Sequence, residues 1–162
     1  MHSFNQDDIG LYGSNGVCRI TAIEDREDGA YYILVPVHQD RTKLMVPIDN
    51  EALVARMRSV PSREDATYYI HEAAHQQIDW IPDTTERKER AHTILHEGNE
   101  VDLLLLIRML YQHKKKLSAL GKKTSSSDNS ILRSAEKRMR DEFSVVFDIA
   151  PEEVDEFIER YN

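Results

Sequence analysis

Two patterns of apolar positions divide the chain. Up to about residue 50 they recur at every second position in short runs, and beyond Pro47 they recur with the period of a helix. Cys18-Arg19-Ile20-Thr21-Ala22 alternates, which predicts a strand with Cys18, Ile20 and Ala22 on one face. Ala30 to Val35 is rich in β-forming residues, and Asp28-Gly29 ahead of it supplies the positive-φ residues of a tight hairpin turn. Leu44-Met45-Val46 follows a polar turn around Gln39-Asp40-Arg41, and Gly10, Gly13 and Gly16 punctuate the entry. Short strands joined by polar turns, with no helix between them, predict a small antiparallel barrel.

The second half reads as helices. Ser62-Arg63-Glu64-Asp65 after Pro61 opens one through about His75, and Asp83-Thr84-Thr85-Glu86 after Pro82 opens another that Gly98 ends as a C-terminal cap. A helix over about Glu100 to Lys116 is apolar around most of its circumference, so it is expected at the centre of this half. Gly121 to Ser130 reads as a flexible break. Ile131, Leu132, Ala135, Met139, Phe143 and Val146 then line one face of a further helix. The last begins at Pro151 and places Val154, Phe157, Ile158 and Tyr161 at helical spacing. The expected organisation is α+β, a β domain over 1–58 and an all-α domain over 59–162.

Composition changes this picture little. In 162 residues, 40% hydrophobic and 31% charged positions suit a globular protein with a real core. The longest apolar run, Leu103 to Ile107, stops at Arg108 and falls far short of the ~20 residues of a membrane span. Met1 to Asp8 lacks the basic start and apolar stretch of a signal peptide, so a cytoplasmic protein without membrane contact is expected. Cys18, the one cysteine, excludes an internal disulfide and a Cys-rich zinc module. The net charge of −8 argues against a general nucleic-acid coat protein, yet its distribution is uneven. From Lys114 to Arg140 only Asp128 and Glu136 oppose the basic residues, and from Asp141 onward only Arg160 opposes the acidic ones. Solvated helix faces account for such blocks, and so does a basic surface with an acidic end.

One motif points to metal chemistry. His71-Glu72-Ala73-Ala74-His75 fits H-E-x-x-H, in which two histidines one turn apart bind zinc while the glutamate activates water. Glu100 is a possible third ligand, with His92 and His96 nearby in sequence. Five residues with two wild cards recur by chance, and no large helical lobe or substrate cleft accompanies them. We read the pair as histidines on a helix face, with no metal, no cofactor and no enzymatic activity. No Gly-rich phosphate loop and no G-x-S-x-G occurs, and Cys18 reads as a small core residue.

Tyr12-Gly13-Ser14-Asn15-Gly16-Val17-Cys18-Arg19-Ile20-Thr21-Ala22-Ile23-Glu24 resembles the opening of the CarD-like proteins and the matching module of the transcription-repair coupling factor, approximately Y-x-x-H-G-V-G-x-I-x-x-I-E. Tyr32-Ile33-Leu34 and Met45-Val46-Pro47-Ile48-Asp49-Asn50 resemble that family's Y-x-V-L and V-P-x-x-N strands. Gly98-Asn99 with Arg108, Leu110 and Tyr111 is similar to its G-D helix with R-D-L-[WY], and Leu132, Ala135, Glu142 and Phe143 echo its L-x-x-A and E-L. Asn15 and Cys18 depart from the family's histidine and second glycine. Leu117 to Lys123 is longer than usual, and the family's next helix start survives only as Ser125 to Asn129.

The resemblance implies a Tudor/SH3-like barrel followed by a helical domain, in a monomeric bacterial transcription regulator. Its barrel would dock on the RNA polymerase β subunit through Arg26, Lys43, Met45, Val46 and Pro47, with the Lys43 to Val46 strand pairing a partner's strand edge. Its helical domain would contact promoter DNA at the upstream fork of the melted region; a polymerase-binding adaptor without DNA contact is the alternative. Trp80, the only tryptophan, falls where the family places a minor-groove wedge; a core tryptophan is the alternative. Arg87, Lys88 and Arg90, and the run Lys114, Lys115, Lys116, Lys122 and Lys123, would hold backbone phosphates.

Overall fold

The computed structural model describes residues 4–13, 16–38 and 42–160. The expectations placed on Asn15, on the Gln39-Asp40-Arg41 turn and on Tyr161 lie outside the described residues. The chain divides into two compact units, Met1–Val60 and Pro61–Asn162.

The first unit is an antiparallel sheet of five strands in the order β4-β3-β2-β1-β5: β1 Ile9–Tyr12, β2 Val17–Arg26, β3 Gly29–Pro36, β4 Leu44–Pro47 and β5 Met57–Ser59. A short helix, α1 Glu51–Val54, lies between β4 and β5, capped by the Asn50 side chain. Among the described residues β4 and β5 do not pair, so the sheet is open where a barrel was expected. β1 and β5, both missed by the alternation argument, are only four and three residues long, too short to show a period. The hairpin also differs from expectation. Arg26 pairs with Gly29, so Glu27 and Asp28 form the turn and Gly29, at φ +130°, carries its positive φ as the first residue of β3.

One face of the sheet carries the core: Phe4, Cys18, Ile20, Tyr32, Leu34, Val46 and Met57. Ala22 does not join it. The β2–β3 register shifts between Ile20 and Ala22, because Thr21 is an extra residue with no partner on β3. Beyond that bulge Ala22 pairs with Ile33, on the face opposite the core.

The second unit is all-helical: α2 Arg63–Ala74, α3 Thr84–Glu97, α4 Glu100–Ala119, α5 Ser126–Phe147, a 3-10 turn at Pro151–Glu153 and α6 Val154–Glu159. Four helices start alike. Ser62, Asp83, Asn99 and Ser125 each accept a hydrogen bond from the backbone N–H three residues on, satisfying a donor the helix cannot. The Ser125 cap starts α5 at Ser126, so the expected break after Gly121 is confined to 120–125. Gly98 ends α3, though not through a left-handed backbone. Its φ is −71°, and a Cβ there would stand 2.6 Å from the Ile94 carbonyl oxygen. Leu103 and Leu106 of α4, Ala135 and Phe143 of α5 and Val154 of α6 are fully buried, which puts α4 at the centre as its pattern predicts.

Candidate functional site

In the first unit the candidate surface is the β4 side of the sheet. Among the described residues β4 pairs only with β3, so its other edge presents unpaired backbone N–H and C=O groups. Strand alternation divides the predicted residues between two faces. Met45 points away from the core and is 41% exposed, whereas Val46 points into it and is fully buried. A partner on this face therefore meets Met45, and Val46 offers it backbone alone. Lys43 is exposed just before β4, and Pro47 is half-buried at its end. Arg26 is the last residue of β2. It is half-exposed, bonded to Glu24 at 3.0 Å, with its guanidinium 5.8 Å from the Tyr31 ring centroid.

The pairings Ala22↔Ile33↔Met45 and Tyr31↔Pro47 align an apolar row on the face opposite the core cluster, in which Met45 is exposed, Ala22, Tyr31 and Pro47 are half-buried and Ile33 is buried. Sequence reasoning missed this row. Its signal was Tyr31-Tyr32-Ile33-Leu34-Val35, an unbroken apolar strand in a sheet whose outer face would ordinarily be polar. Cys18 is no nucleophile: burial pushes its thiol up to about 11, so it stays protonated in the core.

In the second unit the candidate site is built around Trp80, in the segment between α2 and α3 that has no regular secondary structure. The indole is half-buried and stacks flat on His113 of α4, centroids 3.5 Å apart and planes 9° apart. The Arg87 guanidinium lies 4.4 Å from the same ring. Arg87 is itself 5% exposed. It grips both carboxylate oxygens of Asp128 on α5 at 2.8 and 3.1 Å and donates to the carbonyls of Ile81 and Pro82.

The expectation that Arg87 holds a phosphate is thus corrected. Four of its five N–H groups donate inside the fold, and a buried ion pair does not release its cation to a ligand at low cost. Lys88 and Arg90 beside it on α3 are exposed, as are Lys114, Lys115 and Lys116, which follow His113 on α4, and Lys122 and Lys123 beyond its end. The Trp80–His113 stack and the Arg87–Asp128 pair thereby gather three helices around the tryptophan, with exposed lysines flanking it along α3 and α4. Of the rest of the basic block, Arg133 is exposed, Lys137 pairs with Asp141 at the surface, and two arginines are engaged within the unit. Arg138 is buried and donates to the carbonyls of Ile94, Leu95 and Gly98 at the end of α3, and Arg140 bridges Asp155 and Glu136.

The H-E-x-x-H residues sit at the end of α2: His71 and His75 are exposed, His75 is the C-terminal cap, and Glu72 accepts from the Gln76 side chain. Among the described residues no three His, Cys, Asp or Glu side chains gather as a metal site. No helix among them is long and apolar enough to cross a membrane.

Residues 4–60 match the family described as CarD-like/TRCF RID domain. The N-terminal unit belongs to that family. The match takes in the whole described sheet, from the buried Phe4 to the end of β5 just before Pro61, so the RID domain coincides with the first structural unit. The RID family is one of non-catalytic interaction domains, which fits a unit whose exposed chemistry is a strand edge and an apolar row. No curated protein matches the chain.

Proposed function

We propose that the chain is a transcription regulator that binds RNA polymerase through its RID domain and promoter DNA through its helical unit. The observation that carries the reading is the RID match over residues 4–60, on a sheet whose β4 edge is open. In this reading the five strands form a Tudor-like sheet whose β4 edge stays open to a partner. A strand of the polymerase β subunit adds to β4, where main-chain bonds supply affinity and the exposed Met45, beside the half-buried Ala22, supplies the apolar contact. Lys43 and Arg26 flank this contact as rim charges, which set approach and salt dependence more than affinity.

The helical unit then faces the upstream fork of the melted promoter. Trp80 meets the minor groove as an apolar wedge, and Lys88, Arg90, Lys114, Lys115, Lys116, Lys122 and Lys123 hold phosphates around it. Half-burial on His113 supports this reading, because it leaves part of the indole exposed for a groove to meet. Such a contact lengthens the life of the open complex, in a cytoplasmic, monomeric bacterial protein that needs no cofactor. The test is a pull-down of the full chain with core RNA polymerase, alongside open-complex lifetimes with and without the protein. Retention of polymerase with a longer lifetime is the expected result. Failure to retain polymerase removes the reading, and retention with an unchanged lifetime removes its DNA half.

A further inference from the structure

Nothing in the backbone around Trp80 fixes its ring. The segment has no helix or strand, and an indole turns about two torsions, the second of them broad because it joins an sp3 to an sp2 carbon. Two neighbours supply what the backbone does not, and they do different work. Arg87, locked on Asp128, holds the carbonyls of Ile81 and Pro82 and so fixes the chain just beyond the tryptophan. His113, on the twenty-residue helix α4, lies 3.5 Å from the indole at an interplanar angle of 9° and so fixes the plane of the ring.

We propose that His113 is a positioning residue for Trp80: its neutral imidazole sets the plane in which the indole meets nucleic acid, and its protonation loosens that plane. The proposal rests on the DNA reading for its purpose, although the stack can be tested without DNA.

The charged groups that act on His113 are Asp128 of α5, Arg87 of α3 and Lys116 on its own helix. Partial burial comes first and Arg87 and Lys116 add to it; together they outweigh Asp128 and hold the imidazole below the ordinary histidine value. Asp128 is a weak counter-ion here because Arg87 already takes both of its oxygens. An imidazolium over an indole gains a cation–π attraction, but the Arg87 guanidinium already draws on that ring and would stand beside a second cation. The sign follows: because the folded value lies below the unfolded one, the stack's stabilisation is present above about pH 6.5 and is lost as pH falls below it.

Trp80 is the only tryptophan, so the tryptophan band at the long-wavelength edge of the near-ultraviolet circular dichroism, beyond the tyrosine and phenylalanine bands, reports this one ring. In the full chain that band is expected to weaken between about pH 8 and about pH 5, with a midpoint below the ordinary histidine value. His113→Phe keeps an aromatic plane without a proton to gain, so its band should persist with no such titration. His113→Ala should lose most of the band at every pH while the far-ultraviolet helix signal stays. A wild-type band that titrates no more than that of the Phe variant overturns the proposal, and so does a full band in the Ala variant. If the Ala variant does not fold, the comparison of wild type with His113→Phe still decides. On a forked duplex the Ala variant should bind several-fold more weakly than wild type and the Phe variant should not. Optical changes as described, with Trp80→Ala binding the fork as wild type does, would uphold the stack and remove the DNA reading instead.

Discussion

The two candidate surfaces are built on opposite principles. The β4 side of the RID domain is open chemistry: a strand edge with spare backbone groups, a row of apolar side chains, and charges held only by a weak exposed pair such as Arg26–Glu24. The Trp80 surface is closed chemistry. One half-exposed ring is held by an imidazole from α4 and by an arginine that α5 secures in the interior. A strand edge needs no such support, because the neighbouring strands already fix its geometry. A side chain on an irregular segment does need it, so here an arginine that looked like part of the binding surface belongs to the scaffold.

Breaking the closed site should give the largest effect. Asp128→Ala leaves the Arg87 guanidinium buried without its counter-ion, which should cost about 3–5 kcal/mol. A denaturant melt of the helical unit reads this loss, and polymerase binding by the RID domain should be unchanged while the chain is folded. A melt equal to wild type would show that Arg87 reaches solvent and would restore it to the binding surface.

Met45→Glu tests the open site. Its side chain is 41% exposed and points away from the core, so stability should hold. A carboxylate in the apolar row should weaken binding to the polymerase β subunit about tenfold, or about 1.4 kcal/mol. Equal binding by variant and wild type would move the interface off this face. Val46→Ala makes the contrast sharper: it should destabilise the domain by emptying core volume and should leave the affinity of the folded fraction close to wild type.

Smaller effects should separate the lysines from the tryptophan. Lys115→Gln should reduce the salt dependence of fork binding by about one counterion while leaving the Trp80 optical signal intact. An unchanged salt slope would take α4 out of the phosphate contact. Arg26→Glu should give the smallest change, slowing association with polymerase more than it speeds dissociation, because a half-exposed rim arginine contributes well under about 1 kcal/mol to stability. An effect on dissociation alone would place Arg26 inside the interface rather than at its rim.

Much of the fold is legible in the chain because the signals are local. Ser62 and Asp83 announce α2 and α3, since a cap and its target N–H lie three residues apart. The same spacing in Ser125 to Asp128 announces α5, although three serines in a row resemble a linker and hide it. The candidate site is less legible because its decisive contacts are distant. Arg87 looks like its exposed neighbours Lys88 and Arg90 until Asp128, 41 residues away, is brought against it. Nor can His113 be told from Lys114 to Lys116 as a site residue until α4 passes beneath Trp80. On the sheet, the faces of Met45 and Val46 follow from alternation, but the apolar row needs the register across three strands, and a bulge alters that register.

Thr21, the residue added at that bulge, gives β2 an asymmetry toward insertion and deletion. In a regular strand the loss of one residue turns everything beyond it to the opposite face. Here the position is already one residue over, so deleting Thr21 would leave Ile20 facing the core, Ala22 facing away and Ile23 opposite Tyr32, as they are now. Only the bend of the bulge and the hydroxyl contact to the Ile33 carbonyl would go. Deleting Arg19 or Glu24 would instead reverse one end of the strand against its partner. Along a ten-residue strand, the reading frame of the sheet is therefore forgiving at Thr21 and strict at the paired positions around it.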